Sequence, residues 1–361
     1  MFTSWLRSSS VSPVLSTSCL GSHLSRWPNP AIRVAFIGVH AATADEVRRH
    51  LFPLQWDHGQ LSCVDLGNLR KTTTEFAIPL LRELHEAGIV PVLLGGVGTA
   101  IPQAQYLAFG SLHRRINLLQ VDQQLALSPT TSGLQVLDAA VHRTDAPAYH
   151  LSHIGSQRQM VDPALDALIQ RRYFERYTLG EARAQPGDLE PCIRDADVAL
   201  IDIASVLHAE APAQRGYHPS GLSLQEAGQL CYYAGNSDRL ASFGVYGLEL
   251  GTEQATTAER LTAAAYAQLV WYFLHGLSRR AGDFPATTEG MTEYVVDAKL
   301  PQRMTFWRSP RSNRWWIQVP GVTELSGEMR NYLVACSYQD YLQTGQEGKL
   351  PERIVRAFSR Y

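Results

Sequence analysis

The chain has few cysteines, almost no net charge and no long apolar run, and each shortage removes a class of function. Its five cysteines, Cys19, Cys63, Cys192, Cys231 and Cys336, are scattered singly. Without CxxC pairs or Cys/His spacing they build neither a zinc site nor a disulfide framework, and they read as free thiols in a reducing compartment. Lys and Arg number 32 against 34 Asp and Glu, a formal charge of −2. No basic field runs across the sequence, which argues against nucleic acid or an anionic membrane as partner. No apolar stretch reaches the roughly 18 to 20 residues of a membrane span. The first thirty residues hold Arg7 and many serines, and Pro13 interrupts Val11 to Leu20. A secretory signal needs a cleaner apolar stretch of about 7 to 15 residues, so the expected location is the cytoplasm.

What is present is length and pattern. A chain of 361 residues, 45% of them apolar, buries most of its apolar surface in one large domain or two modest ones. Short apolar runs alternate with amphipathic stretches, the pattern of a parallel sheet with crossover helices. The spacing predicts strands at Val34 to Val39, Leu61 to Leu66, Ile89 to Leu94, Ile116 to Val121, Tyr149 to Ile154, Val198 to Ile203 and Phe243 to Leu250. Helices are expected at Thr74 to Ala87, Pro163 to Arg172, Leu224 to Ala234 and Ala258 to Leu274, the third capped by Ser223 with Glu226 and stopped by Gly235. After Arg280 the texture changes to short antiparallel strands, Tyr294 to Asp297, Arg303 to Trp307 and Trp315 to Val319, and a terminal helix, Glu352 to Phe358. The organisation is an N-terminal segment (1–30), an α/β domain (31–285) and a C-terminal appendage packed on it (286–361).

Two features carry candidate chemistry. Leu94-Gly95-Gly96-Val97-Gly98-Thr99 follows a strand and opens a helix, so it reads either as a tight turn or as a two-glycine phosphate loop with Asp122 as ribose acceptor. Asp122 and Asp202 end two strands, and ligands of parallel sheets collect outside that carboxyl edge. Each aspartate also has a plain reading as a loop cap. No nucleophile elbow surrounds Ser205, and no cysteine sits beside an obvious histidine partner.

Taken in order, Val34-Ala35-Phe36-Ile37-Gly38-Val39, Leu94-Gly95-Gly96, Leu119-Gln120-Val121-Asp122, His153-Ile154-Gly155, Leu200-Ile201-Asp202-Ile203 and Gly244-Val245-Tyr246-Gly247 resemble the ureohydrolase superfamily of arginase, agmatinase and formimidoylglutamase. The resemblance spans about residues 33 to 285 and is strongest to bacterial formimidoylglutamase-like chains, which Ala265-Tyr266-Ala267-Gln268-Leu269-Val270-Trp271-Tyr272-Phe273 and Asn313-Arg314-Trp315-Trp316 also resemble. It implies a three-layer α/β/α arginase-like fold with a central, mostly parallel eight-stranded sheet, here with a C-terminal β-hairpin and helix appended. It also implies a binuclear manganese centre at the carboxyl edge, where metal-bound water hydrolyses a guanidino or formimino C–N bond.

The ligand motifs depart from that pattern. Where the family's GGDH has its histidine, this chain has Gly98; its DAHxD becomes Asp122-Gln123-Gln124-Leu125-Ala126, and its DxD becomes Asp202-Ile203-Ala204. The glutamate of the EVNP-like segment falls at Gly247, with Glu249 two residues further on. Gly98, Gln124, Ala126 and Ala204 therefore leave too few donors for a hard divalent cation, which prefers about six. The reading is an arginase-fold protein without its manganese pair and without other cofactors, a catalytically inactive structural or regulatory subunit of a protein assembly. The alternative is a hydrolase of linear amidines or guanidines with a rearranged metal site, to which His208 and His218 with Asp202 would contribute. If the two retained aspartates approach within about 4 Å, their repulsion is on the order of 4 kcal/mol at an effective dielectric near 20. A basic side chain, backbone N–H donors or separation must relieve it.

The partner surface is sought in the appendage. Trp307, Trp315 and Trp316 fall within ten residues, interleaved with Arg303, Arg308, Arg311 and Arg314, and Trp and Arg dominate interface hot spots. Adjacent strand residues point to opposite faces, so one of Trp315 and Trp316 is expected in the core and the other against a partner or a neighbouring element. A homo-oligomer is a further expectation.

Overall fold

The computed structural model describes residues 4–12, 16–113, 115–125, 148–215, 218–251, 254–284, 288–297, 303–319 and 333–358. Strands β1 (Leu6–Arg7), β2 (Val34–Gly38), β3 (Cys63–Leu69), β4 (Val90–Leu94), β5 (Arg115–Val121), β6 (Ala148–Ser156), β7 (Glu175–Thr178), β8 (Val198–Asp202) and β9 (Ser242–Tyr246) form one sheet, in the order β1-β3-β2-β4-β9-β8-β5-β6-β7. Eight of these run parallel, as expected. The ninth is the two-residue β1, which pairs antiparallel on the outer edge of β3, so the N-terminal segment is part of the sheet.

Alternation along the strands sorts the core into two layers. Phe36, Leu94, Val121, Ile201 and Val245 face one cluster, with helices Ala41–Leu51, Leu224–Asn236 and Thr257–Ser278. Ile37, Leu93, Leu118 and Leu200 face the other, with Thr74–Glu86, Ala100–Gly110 and Pro163–Arg171. Nearly every one of these strand residues is fully buried, which explains the continuous apolar runs: both sheet faces are covered. β7, Glu-Arg-Tyr-Thr, is too polar and short to be read from sequence.

One helix end differs from expectation. The Ser223/Glu226 capping box is present, but the helix runs past Gly235 to Asn236. A side chain at Gly235 would lie 1.9 Å from the Phe273 carbonyl oxygen. That glycine is a close-packing point between two helices and not a stop signal.

The appendage is a four-stranded antiparallel sheet, β10 (Thr292–Val296), β11 (Met304–Arg308), β12 (Trp315–Gln318) and β13 (Leu333–Cys336), with helices Tyr338–Glu347 and Glu352–Phe358. β13 and the first of those helices add to the expected hairpin. Trp315 and Trp316 do point to opposite faces, yet both are buried within this chain. Trp315 stacks on Tyr341 at 4.8 Å beneath the appendage's own helices. Trp316 lies under the guanidinium of Arg194, 4.5 Å from its ring centre. Arg194 belongs to the α/β domain, is itself buried, and donates to the carbonyls of Trp315 (3.2 Å) and Cys336 (3.1 Å) as well as to Glu190 (2.8 Å). The neighbouring element therefore supplies the cover for Trp316, and of the five candidate partner residues only Trp307, Arg308 and Arg311 keep accessible surface.

Arg194→Ala would strip a buried cation from two carbonyls, a carboxylate and an indole face at once. It is expected to lower unfolding stability by about 2–4 kcal/mol in urea titration, with the appendage lost first to limited proteolysis.

Candidate functional site

β4, β9, β8 and β5 are consecutive neighbours, so the loops leaving their carboxyl ends stand side by side. These loops carry Gly98, Gly247, Asp202 and Asp122 respectively. Sequence reasoning therefore located the rim; the structure shows how its polar groups are used.

Both aspartates are buried, and each closes its own turn. Asp122 Oδ1 accepts the backbone N–H of Gln124 at 3.0 Å, and Asp202 Oδ1 accepts that of Ala204 at 2.8 Å. A backbone N–H donor thus satisfies one oxygen of each carboxylate. Burial nevertheless raises the Asp202 carboxyl above the usual range, against the opposing effects of the Ala204 N–H and the Arg215 charge. Arg215 is also the partner of Glu249, at 3.1 Å on the surface. Glu249 is exposed and pairs outward.

Gly247 touches Asp202 directly. Its φ of +91° is a left-handed conformation, and a Cβ there would lie 2.3 Å from Asp202 Oδ1, so no larger residue fits without moving the carboxylate. Gly98, at φ +88°, has open space around it but no donor atom. Ala204 contributes a methyl group, and Ala126 lies outside the described residues.

Two amides of the glycine loop are already occupied. Gly95 N–H donates to the Tyr266 hydroxyl at 2.7 Å, and Gly96 N–H to the Leu248 carbonyl at 3.2 Å. A phosphate cradle needs such N–H groups free to point at the anion, so the nucleotide reading loses these two donors.

Glutamines, which the sequence reading did not single out for this role, lace the rim together. Gln123 Nε2 donates to the Ala204 carbonyl at 2.5 Å, and its Oε1 accepts from Gln157 Nε2 at 2.8 Å. Gln157 Nε2 also reaches the Ser220 carbonyl at 3.2 Å. Gln124 Nε2 stands 3.4 Å from His218 Nε2, which places one of the two loop histidines at the rim. Asp202, His208 and His218 do not form a ligand set: among the described residues no group of three or more His, Cys, Asp or Glu comes together.

His153, fully buried on β6, donates from Nε2 to the Gln124 carbonyl at 3.1 Å. Its Nδ1 has no hydrogen-bond partner among the described residues. Burial pushes this imidazole down to about 4, with the Gln124 bond opposing and Arg176 adding to the fall.

No protein-family model matches the chain, and no curated protein sequence matches it. Solved structures do. Formiminoglutamase from Trypanosoma cruzi, determined with Mn2+, superposes with a TM-score of 0.60 at 16% identity, covering 73% of this chain and 99% of that one. Formimidoylglutamase from Bacillus subtilis gives 0.61 at 15% identity over 76% and 97%. Arginase from Bacillus cereus gives 0.53 at 15% identity over 67% and 98%. The chain has the arginase-like α/β fold. At this identity the likeness extends to architecture, and function rests on the side chains at the rim.

The His153 geometry sets a pH dependence. An imidazole that ionises at about 4 when folded and at 6.5 when unfolded takes its proton first in the unfolded chain. Its contribution is complete above about pH 6.5 and is lost as pH falls towards 4, reaching about 2 kcal/mol at pH 5. Between pH 7 and 5 the wild-type chain is expected to lose about that much more unfolding free energy than His153→Asn, measured in urea; parallel losses in the two would contradict it.

Proposed function

We propose that this chain is a ureohydrolase-like protein that has exchanged catalysis for binding and serves as a structural or regulatory subunit of a protein assembly. The observation that carries this reading is the glutamine-laced rim. Where a hydrolytic site of this fold would present outward-facing imidazoles and carboxylates to a pair of cations, this chain has Gly98 and Ala204 without donors and two aspartates turned onto their own backbone. Gln123 spends its amide on Ala204 and Gln157.

This donor set does not fit two manganese ions. A hard cation seeks about six oxygen or nitrogen ligands, and a neutral amide held by two backbone and side-chain partners is a poor substitute for an imidazole. A pair of cations would also have to break the turn bonds of Asp122 and Asp202 before binding either carboxylate fully.

The proposed partner contact uses the appendage; supporting it, Trp307, Arg308 and Arg311 remain accessible on β11 and the β11–β12 turn. Trp307 packs over the Trp316 cluster while its Nε1 donates to Gln318 at 3.1 Å. An indole held at the surface by its cross-strand neighbours binds at low entropic cost.

Purified chain dialysed against Mn2+ should retain well under one equivalent and hydrolyse none of formiminoglutamate, arginine or agmatine. Two retained ions with turnover of any of the three would instead establish the hydrolase reading. Native size exclusion of cell extract checks the partner surface: Trp307→Ala with Arg311→Ala should shift the chain from a large species to its own mass, and an unchanged profile refutes that placement.

A further inference from the structure

Far from the rim, two imidazoles meet beside an open cavity. His275 sits in the last turn of helix Thr257–Ser278, whose first turn follows the rim loop after β9; at about 1.5 Å per residue His275 is roughly 27 Å from the helix start. His275 Nδ1 lies 2.8 Å from Nε2 of His58. Asp57 Oδ1 stands 3.1 Å from the other nitrogen of His58. Residues 57–61 and 277–279 line a cavity of about 400 Å³ next to the pair.

We propose that His58 and His275 form a binding site for a tetragonal transition cation, Cu2+ or Ni2+, with water from the cavity filling its remaining positions. The spacing is the first reason. Two cis ligands at a right angle, with bonds of about 2.0 Å, stand about 2.8 Å apart, which is the separation already present. A tetrahedral ion such as Zn2+ would require the rings to separate to about 3.3 Å.

Preorganisation is the second reason. A carboxylate on the outer nitrogen is the usual partner of a metal-binding histidine, fixing its tautomer and aiming the inner lone pair, and Asp57 occupies that place. The rings are held by aromatic neighbours: His275 stacks parallel on Trp271 at 5.3 Å and packs on Tyr232 at 5.3 Å, while Trp56 meets His58 edge-on at 4.8 Å. Trp271 in turn donates from Nε1 to the Gln55 carbonyl at 2.8 Å, tying the segment that carries His58 to the helix that carries His275.

Proton balance is simple. With the His58 proton on Nδ1, the nitrogen beside Asp57, its Nε2 accepts from His275 Nδ1. Binding a cation replaces that hydrogen bond, and the His275 proton moves through solvent to Nε2 as both rings tilt towards a common point. No third protein donor converges there among the described residues. Arg279, which lines the same cavity, places a positive charge near the ion and weakens its binding.

Untagged protein titrated calorimetrically with NiCl2 or CuCl2 should bind one equivalent. His58→Gln and His275→Gln should each abolish that equivalent, Asp57→Asn should weaken it about tenfold, and Arg279→Gln should tighten it. Electron paramagnetic resonance of the Cu2+ form should show hyperfine splitting from two equivalent imidazole nitrogens, a readout on the wild-type chain that holds even if a variant misfolds. Asp122→Asn should leave binding unchanged. Substoichiometric uptake, nitrogen splitting from one or no imidazole, or loss of binding on changing Asp122 would each overturn the assignment.

Discussion

A polar group removed from water must find a partner inside the protein or destabilise the fold by roughly 1–3 kcal/mol. At the carboxyl edge of a parallel sheet this constraint is severe, because several strands end together and their loops bring amides, carbonyls and carboxylates into one small volume. Here the demand is met from within. Two aspartates accept the N–H groups two residues ahead of them, Tyr266 takes the first amide of the glycine loop, and Gln123 bridges from the loop after β5 to the loop after β8. The rim is held closed by hydrogen bonds that in a metal-dependent enzyme of this architecture would be replaced by bonds to ions.

Strands β2 and β4 below the loops are apolar and buried throughout, whereas β5 and β6 carry buried polar side chains such as Gln120 and Ser152, the latter bonded to Glu175 on β7. Gly247 shows how tightly rim and core are coupled. Its missing side chain is the space that the Asp202 carboxylate uses. The same economy operates between helices, where Gly235 and Gly276 let Leu224–Asn236 and Thr257–Ser278 approach until a Cβ would meet backbone oxygen at about 2 Å.

The fold was legible from sequence where the chain repeats one physical pattern. Runs such as Val34-Ala35-Phe36-Ile37 and Val198-Ala199-Leu200-Ile201 can only be strands buried on both faces, and the Ser223/Glu226 pair announces a helix start by its own chemistry. β7 and β1 were illegible, because a four-residue polar strand and a two-residue strand carry no periodicity; their pairing comes from neighbours already in place. Gly235 misled for a related reason: a glycine near a helix end is a stop signal in isolation and a contact point only when a second helix is known to lie against it. At the rim, the absence of side-chain donors at Gly98 and Ala204 is visible in the sequence itself. The roles of Gln123, Gln157 and His153 are not, since a hydrogen bond between residues 29 to 81 positions apart leaves no trace in spacing. Trp315 and Trp316 were correctly assigned to opposite faces, but the cover over Trp316 comes from Arg194, more than a hundred residues earlier.

The two-residue strand at Leu6–Arg7 bears on how copies of this chain can associate. A long parallel sheet normally leaves its border strand with a row of vacant amide and carbonyl groups, an invitation to add further strands from another molecule. By laying its own beginning along β3, the chain fills part of that row with itself. Growth of a continuous intermolecular sheet past Asn68 and Leu69 on this border would require peeling Leu6 and Arg7 away, so association that leaves them in place is directed to the opposite border at β7, the helices, the loops or the appendage.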